Sequence, residues 1–95
     1  MDFEWDEVKR RANLTKHEID FMRVVTMWAS PVINSVGERI VDGETRHLAL
    51  GVIGDDDFVI AVVYTVRGGT CRIISARRGR RDERAYYQGK FGRGR

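Results

Sequence analysis

The sequence has 95 residues, of which 42% are hydrophobic and 33% charged, with a net charge of +3. This composition excludes a disordered chain and a large enzyme, and it predicts one small globular domain over residues 1–95, with residues 89–95 as a flexible Gly/Arg-rich tail. No segment approaches the roughly 20 apolar residues that span a membrane, the acidic start does not resemble a signal peptide, and there is one cysteine, so we expect a cytoplasmic protein.

The charge is unevenly distributed along the chain. Residues 1–66 contain seven Lys or Arg and twelve Asp or Glu, whereas residues 67–95 contain ten and two. A basic C-terminal third is typical of a protein that binds a polyanion such as nucleic acid. The same asymmetry also arises when the two parts of one chain match each other's charge, and both explanations stay open at this point.

Two helices are predicted in the N-terminal third. Asp6 can cap a helix that ends near Lys16, and Asp20 can cap a second helix. Pro31 discourages helix beyond that point. The second helix carries an apolar stripe at helical spacing, formed by Phe21, Val24, Val25 and Trp28.

From Pro31 the pattern changes to that of strands. We predict strands over residues 32–36, 45–53, 58–67 and 70–77, and a last helix over 80–88. Gly68-Gly69 is a two-residue hairpin signal between the last two strands. The predicted fold class is therefore α+β, with two N-terminal helices packed on a four-stranded antiparallel sheet and a C-terminal helix.

The predicted hairpin fixes which side chains share a face of the sheet. Val63 would lie opposite Ile74, and Arg46 would lie beside Arg72 on the face that also carries Leu50, which we expect to be the core face. The other face of the sheet, which carries smaller residues, would include His47, Tyr64, Ser75 and Arg77. Arg46 and Arg77 are thus predicted on opposite faces.

The arginines are the strongest chemical signal in the sequence. No lysine occurs between Lys16 and Lys90, and seven arginines lie on the last strand, its hairpin and the last helix: Arg67, Arg72, Arg77, Arg78, Arg80, Arg81 and Arg84. Arginine offers a planar fork of donors that matches phosphate. There is no Walker loop and no metal-ligand spacing, so neither a cofactor nor a metal is predicted.

Cleavage of RNA can be catalysed by arginine together with proton-transferring side chains, without a metal ion. The 2′-hydroxyl attacks the adjacent phosphorus, so an enzyme has to move protons and stabilise a charged transition state. We predict that Arg46, Arg72 and Arg77 hold the scissile phosphate and that His17 or Glu44 transfers the proton, although His17 can equally serve the dipole at the end of its helix. The predicted substrate-binding residues are Lys16, Tyr64, Arg67, Ser75, Arg84 and Tyr87.

The chain resembles the BrnT family of toxins from phenylalanine 3 to tyrosine 87. The matching residues, in chain order, are Phe3-Glu4-Trp5-Asp6-Glu7, Lys9-Arg10, Asn13, Lys16-His17, Ile19-Asp20-Phe21, Gly43-Glu44-x-Arg46 with Gly51, Val63-Tyr64-Thr65-x-Arg67, Arg72-Ile73-Ile74-Ser75-Ala76-Arg77-Arg78, and Glu83-Arg84-x-Tyr86-Tyr87.

This resemblance implies a RelE-like ribonuclease that arrests translation by cleaving RNA. It also implies neutralisation by a BrnA-type antitoxin with a ribbon-helix-helix part, in a complex of two toxins and two antitoxins that contacts DNA only through the antitoxin. The residues by themselves leave two other functions open, a non-catalytic RNA-binding module and an interaction subunit whose basic face receives an acidic partner.

Overall fold

The structure is a computed structural model that describes residues 1–95, apart from the side chain of Ser35. Its helices and strands confirm the α+β class. In chain order they are β1 (Asp2–Glu4), α1 (Glu7–His17), α2 (Phe21–Val24), a 3-10 helix (Val25–Ala29), β2 (Ile33–Val41), β3 (Glu44–Ile53), β4 (Phe58–Arg67), β5 (Thr70–Arg78) and α3 (Arg81–Phe91).

The sheet has five strands in the order β1-β5-β4-β3-β2. Strands β2 to β5 form the predicted antiparallel set, but β1 adds parallel to β5, pairing Phe3 with Cys71. The predicted four-stranded, wholly antiparallel sheet is therefore wrong in this detail. A strand of three residues is too short to show the alternation by which strands are recognised in a sequence.

The N-terminal helices begin where their caps predict. Asp6 accepts hydrogen bonds from the backbone N–H groups of Val8 and Lys9, and Asp20 accepts one from Met22. The second helix departs from the prediction because it is a single α-helical turn followed by the 3-10 helix. Three consecutive β-branched residues, 24–26, disfavour a longer α-helix there.

Strand β2 is longer than predicted. It continues to Val41 and joins β3 through Asp42 and Gly43, whose φ angles of 51° and 76° are both positive. Asp-Gly is the sequence expected for a two-residue turn of this kind. The strand predicted to end at residue 36 therefore forms one arm of a long hairpin with β3.

A β-bulge in strand β5 changes which residues share a face. The pairing of Thr65 with Arg72 follows the prediction, but Val63 pairs with Ser75 instead of Ile74. The extra residue between them shifts the alternation by one position. Arg77, which pairs with Ala61, thus lies on the same face as Arg46, and the predicted placement on opposite faces is wrong.

The sheet buries a core on each face. The larger core lies under α1, α2 and the 3-10 helix, and the smaller one, around Leu50 and Tyr87, lies under α3. Gly51 is required in the larger core, because a Cβ atom there would lie 2.2 Å from Cγ of Met27. The expectation that the Leu50 face holds the main core is wrong, and this face is only partly covered.

The larger core also contains the one cysteine of the chain. Cys71 is 3% exposed in β5, beside β1, and burial raises the pKa of its thiol to about 11.

The closing residues lie against the sheet. Helix α3 ends at Phe91, beyond the predicted residue 88, and the carbonyl oxygen of Arg95 accepts a hydrogen bond of 2.8 Å from the N–H of Val59. Arg93 forms an ion pair with Asp57, and Arg95 forms one with Asp56. Among the residues that the structure describes, no helix is long and apolar enough to cross a membrane.

Candidate active site

The uncovered part of the α3 face forms a cavity of about 530 Å³. Helix α3 packs over Leu50 and Val59 near one end of the sheet, and the cavity lies toward the other end. We call it the arginine cavity. Its lining residues are Gly37, Glu38, Arg39, Val41, Arg46, His47, Leu48, Val63, Ile74, Ser75 and Arg77.

Arg46 and Arg39 form one wall of the arginine cavity. They are directly paired across β2 and β3, so that their side chains share a face. The Nε atom of Arg46 is buried and has no hydrogen-bond partner among the residues that the structure describes. A buried guanidinium donor without an acceptor is costly, and an anion in the cavity would satisfy it.

Arg77 and Ser75 lie across the cavity from this wall, where the β-bulge places them. Glu83 holds the Arg77 guanidinium through two bonds, Nη1 to Oε1 at 2.7 Å and Nη2 to Oε2 at 3.1 Å. This contact raises the pKa of Arg77, so that the side chain is a permanent cation. The contact fixes the orientation of the guanidinium, and the Glu83 carboxylate also offsets part of its positive charge.

A second charged group, Glu44 at the start of β3, lies on the same sheet face as Arg46, but neither Glu44 nor Arg72 is part of the cavity lining. Glu44 accepts hydrogen bonds from Arg67, at 2.5 Å to Nε and 3.1 Å to Nη2, and these bonds lower the pKa of Glu44. The charges of Arg46 and Arg72 lower that pKa further. Arg72 itself lies 3.4 Å from a carboxylate oxygen of Glu4. Glu44 is thus an ionised carboxylate among three arginines.

The two histidines belong to different cavities. His17 lines a second cavity of about 320 Å³, together with Arg23, Asp56 and Arg95, near the opposite end of β3. His47 contributes to the lining of the arginine cavity, but its ring stacks 5.2 Å from that of Tyr64 on the helix-covered face. Its Nδ1 atom is 3.4 Å from Glu38.

Five predicted substrate-binding residues are not part of the cavity lining: Lys16, Tyr64, Arg67, Arg84 and Tyr87. Tyr64 is buried and donates its hydroxyl hydrogen to Asn34, and Tyr87 is fully buried and donates to the carbonyl of Pro31 at 2.6 Å. Arg84 donates to the carbonyl of Gly79. Lys16 is exposed near the end of α1. The two tyrosines therefore cannot stack on bases without unfolding part of the core.

Sequence reasoning missed the cavity-lining residue Arg39 and the structural role of Asn13, which is not part of the lining. Arg39 was missed because β2 was predicted to end before it, although the Asp42-Gly43 turn signal was present. Asn13, only 6% exposed, donates to the carbonyl of Ile19 at 2.9 Å and accepts from the N–H of Ala76 at 3.0 Å. This side chain ties α1 to β5 directly beside Ser75, and only the contact itself reveals that role.

The described residues contain no group of three or more His, Cys, Asp or Glu side chains that could hold a metal ion. What the cavity offers is a set of guanidinium donors and a nearby carboxylate. An arginine-lined cavity on an uncovered sheet face is chemically suited to an anionic ligand.

Comparison with known families places the chain within one of them. The model of a family described as the ribonuclease toxin BrnT of type II toxin–antitoxin systems matches residues 5–83, which is most of the chain. The chain therefore belongs to the BrnT family, and the resemblance seen in the sequence is confirmed. A search of curated proteins gives no match. Membership supports a ribonuclease toxin and implies an antitoxin partner.

Proposed function

We propose that this protein is a metal-independent endoribonuclease that cleaves RNA in the arginine cavity and thereby arrests translation in the cytoplasm. The observation that supports this most directly is the placement of Arg46 and Arg77 on one sheet face, with the Nε atom of Arg46 buried and unpartnered. Several guanidinium groups that converge on one cavity match the charge of a phosphodiester.

Each arginine has a role in the proposed reaction. The 2′-oxygen of the RNA bonds to the adjacent phosphorus, the bond from phosphorus to the 5′-oxygen breaks, and a 2′,3′-cyclic phosphate forms. Arg46 and Arg77 stabilise the extra negative charge on the phosphoryl oxygens, with Arg39 and Arg72 adding positive potential. The Ser75 hydroxyl orients the phosphate between them.

Glu44 is the better of the two predicted proton-transfer groups. It lies near Arg46 and Arg72, and as an ionised carboxylate it can accept the proton of the 2′-hydroxyl. His17 lines a different cavity. The proton that the departing 5′-oxygen needs comes from solvent or from the protonated carboxyl group.

The partner in this proposal is a BrnA-like antitoxin with a ribbon-helix-helix part. Two toxins and two antitoxins form the complex, which reaches DNA only through the antitoxin. The toxin itself has a RelE-like fold in this proposal. A mixed sheet with helices on both faces and a basic cavity is compatible with it.

Single alanine variants test the site. We expect Arg46→Ala and Arg77→Ala to cleave RNA about 100- to 1000-fold more slowly, because each removes a preorganised donor. Arg11→Ala, an exposed arginine on α1, is the matched control and should cleave like the parent. His17→Ala should also retain activity.

Cleavage of a synthetic RNA by folded protein is the measurement, with circular dichroism to confirm folding. If both cavity variants cleave as fast as the parent, the active site is elsewhere. If the parent binds RNA in a salt-dependent way without cleaving it, the chain is an RNA-binding module.

A further inference from the structure

We propose that the outer edge of β2 is the docking surface for an extended segment of the antitoxin. The segment adds as a strand beside β2 and directs acidic side chains toward the arginine cavity. This deepens the proposed function, on which it rests for the identity of the partner and for the cavity that the partner blocks.

The two edges of the sheet are protected differently. At one edge, β1 covers the first residues of β5, and beyond it the side chain of Asn13 accepts a hydrogen bond from Ala76. At the other edge, no described element of the chain pairs with the outer side of β2, which is irregular between Ile33 and Gly37 and pairs continuously with β3 from Gly37 to Val41. Unpaired strand edges attract further strands, and proteins normally shorten or cover them.

The side chains of β2 show what an added strand would meet. Ile40 is 77% exposed and is paired with Thr45, while its neighbour Arg39 is paired with Arg46 on the cavity face. Val36 is a further exposed apolar residue of this strand. Side chains of a strand alternate between faces. A strand beside β2 would therefore place one set of side chains near Ile40 and the other near Arg39.

The charge of the cavity face determines the partner's chemistry. Arg39 on β2 and Arg46 on β3 line the cavity next to this edge, so acidic side chains on the added strand would be attracted to them. A second copy of this chain would bring its own Arg39 to the same edge and add positive charge. We therefore infer a segment with acidic residues at alternate positions and apolar residues between them.

Hydrogen exchange of the full toxin, alone and in complex with the antitoxin of its own operon, tests the docking surface. We expect the backbone amides of residues 37–41 that point away from β3 to exchange at least tenfold more slowly in the complex, because the added strand accepts their hydrogen bonds. If these amides exchange at the same rate in the complex, the proposal is overturned.

A matched pair of variants separates this edge from the rest of the surface. Ile40→Lys and Val8→Lys replace side chains of similar exposure, 77% and 74%, on different elements. We expect Ile40→Lys to weaken antitoxin binding about tenfold or more, and Val8→Lys to leave it unchanged, in calorimetric titrations. Equal affinities for the two variants would contradict the proposal.

Two further results bear on the occupant and on the site. If the toxin alone is a dimer in light scattering and Ile40→Lys makes it a monomer, a second copy occupies the edge and the proposal is wrong. Neither binding measurement requires RNA cleavage, so docking at β2 can fail while Arg46→Ala and Arg77→Ala still abolish activity. Conversely, docking at β2 can be confirmed even if Arg46→Ala and Arg77→Ala cleave RNA as fast as the parent. Ile40→Lys should itself cleave RNA normally.

Discussion

Glu44 shows most directly how a single contact sets the chemistry of a residue. Its carboxylate is held by Arg67, which lowers its pKa. Residue types at the site could be predicted from the sequence, since Arg46, Arg77, Ser75 and Glu44 were all named. The sequence could not show which of these residues are buried, have a partner or carry an unsatisfied polar atom. Those properties depend on neighbours that are remote in the chain.

The pH dependence of cleavage follows from this contact. If ionised Glu44 accepts the proton, activity is lost only as the pH falls through its lowered pKa, below the ordinary glutamate value of about 4.3. Arg67→Ala removes the main cause of the shift, so the acidic limb of the profile should move to higher pH. The measurement is kcat/KM against pH for both proteins. An unmoved limb, or a fully active Glu44→Gln variant, would exclude Glu44 as the base.

At the scale of elements, the β-bulge in β5 organises the site. The Gly68-Gly69 turn predicts the register near the turn, and Thr65 does pair with Arg72. The register farther away could not be predicted, because a single inserted residue leaves no mark in the apolar alternation of residues such as Ile73 and Ile74. The hairpin of β2 and β3 was predictable in principle from its Asp-Gly turn.

Asn13 is the side chain that secures β5 beside this bulge. We expect Asn13→Ala to lower the free energy of unfolding by about 1–3 kcal/mol, because it leaves the backbone groups of Ala76 and Ile19 without partners. It should also slow cleavage, since Arg77 lies one residue beyond Ala76. Urea denaturation and RNA cleavage measure the two effects.

A double-mutant cycle tests whether Asn13 acts through Arg77. In the Arg77→Ala background, Asn13→Ala should slow cleavage little further, whereas the stability loss should persist. Ile19→Val, a change in the core next to the same contact, controls for loss of stability alone. Additive effects on cleavage would mean that Asn13 supports the fold without positioning Arg77.

At the scale of the whole molecule, both explanations of the uneven charge hold in part. Arginines of the basic C-terminal third form ion pairs with carboxylates elsewhere in the chain, such as Arg93 with Asp57 and Arg67 with Glu44. Arg46 and Arg39, from the acidic part, contribute the cavity wall. Net charge by segment therefore predicted a basic protein surface but not where that surface lies.

The closing residues should contribute to global stability. Deleting residues 93–95 removes the backbone hydrogen bond from Val59 to Arg95 and the ion pairs with Asp56 and Asp57. Exposed ion pairs contribute little, so the backbone bonds should account for most of a loss near 1 kcal/mol, equivalent to a Tm lower by about 4–8 °C. Calorimetry of the shortened and full chains checks this, and an unchanged Tm would show that the segment is a dispensable tail.

The buried thiol of Cys71 allows openings of the folded protein to be followed by chemical modification. Because Cys71 is 3% exposed and its pKa is raised to about 11, an alkylating reagent finds almost no reactive thiolate in the folded protein. Alkylation therefore requires an opening of the core around this side chain. The rate of alkylation measures how often such openings occur.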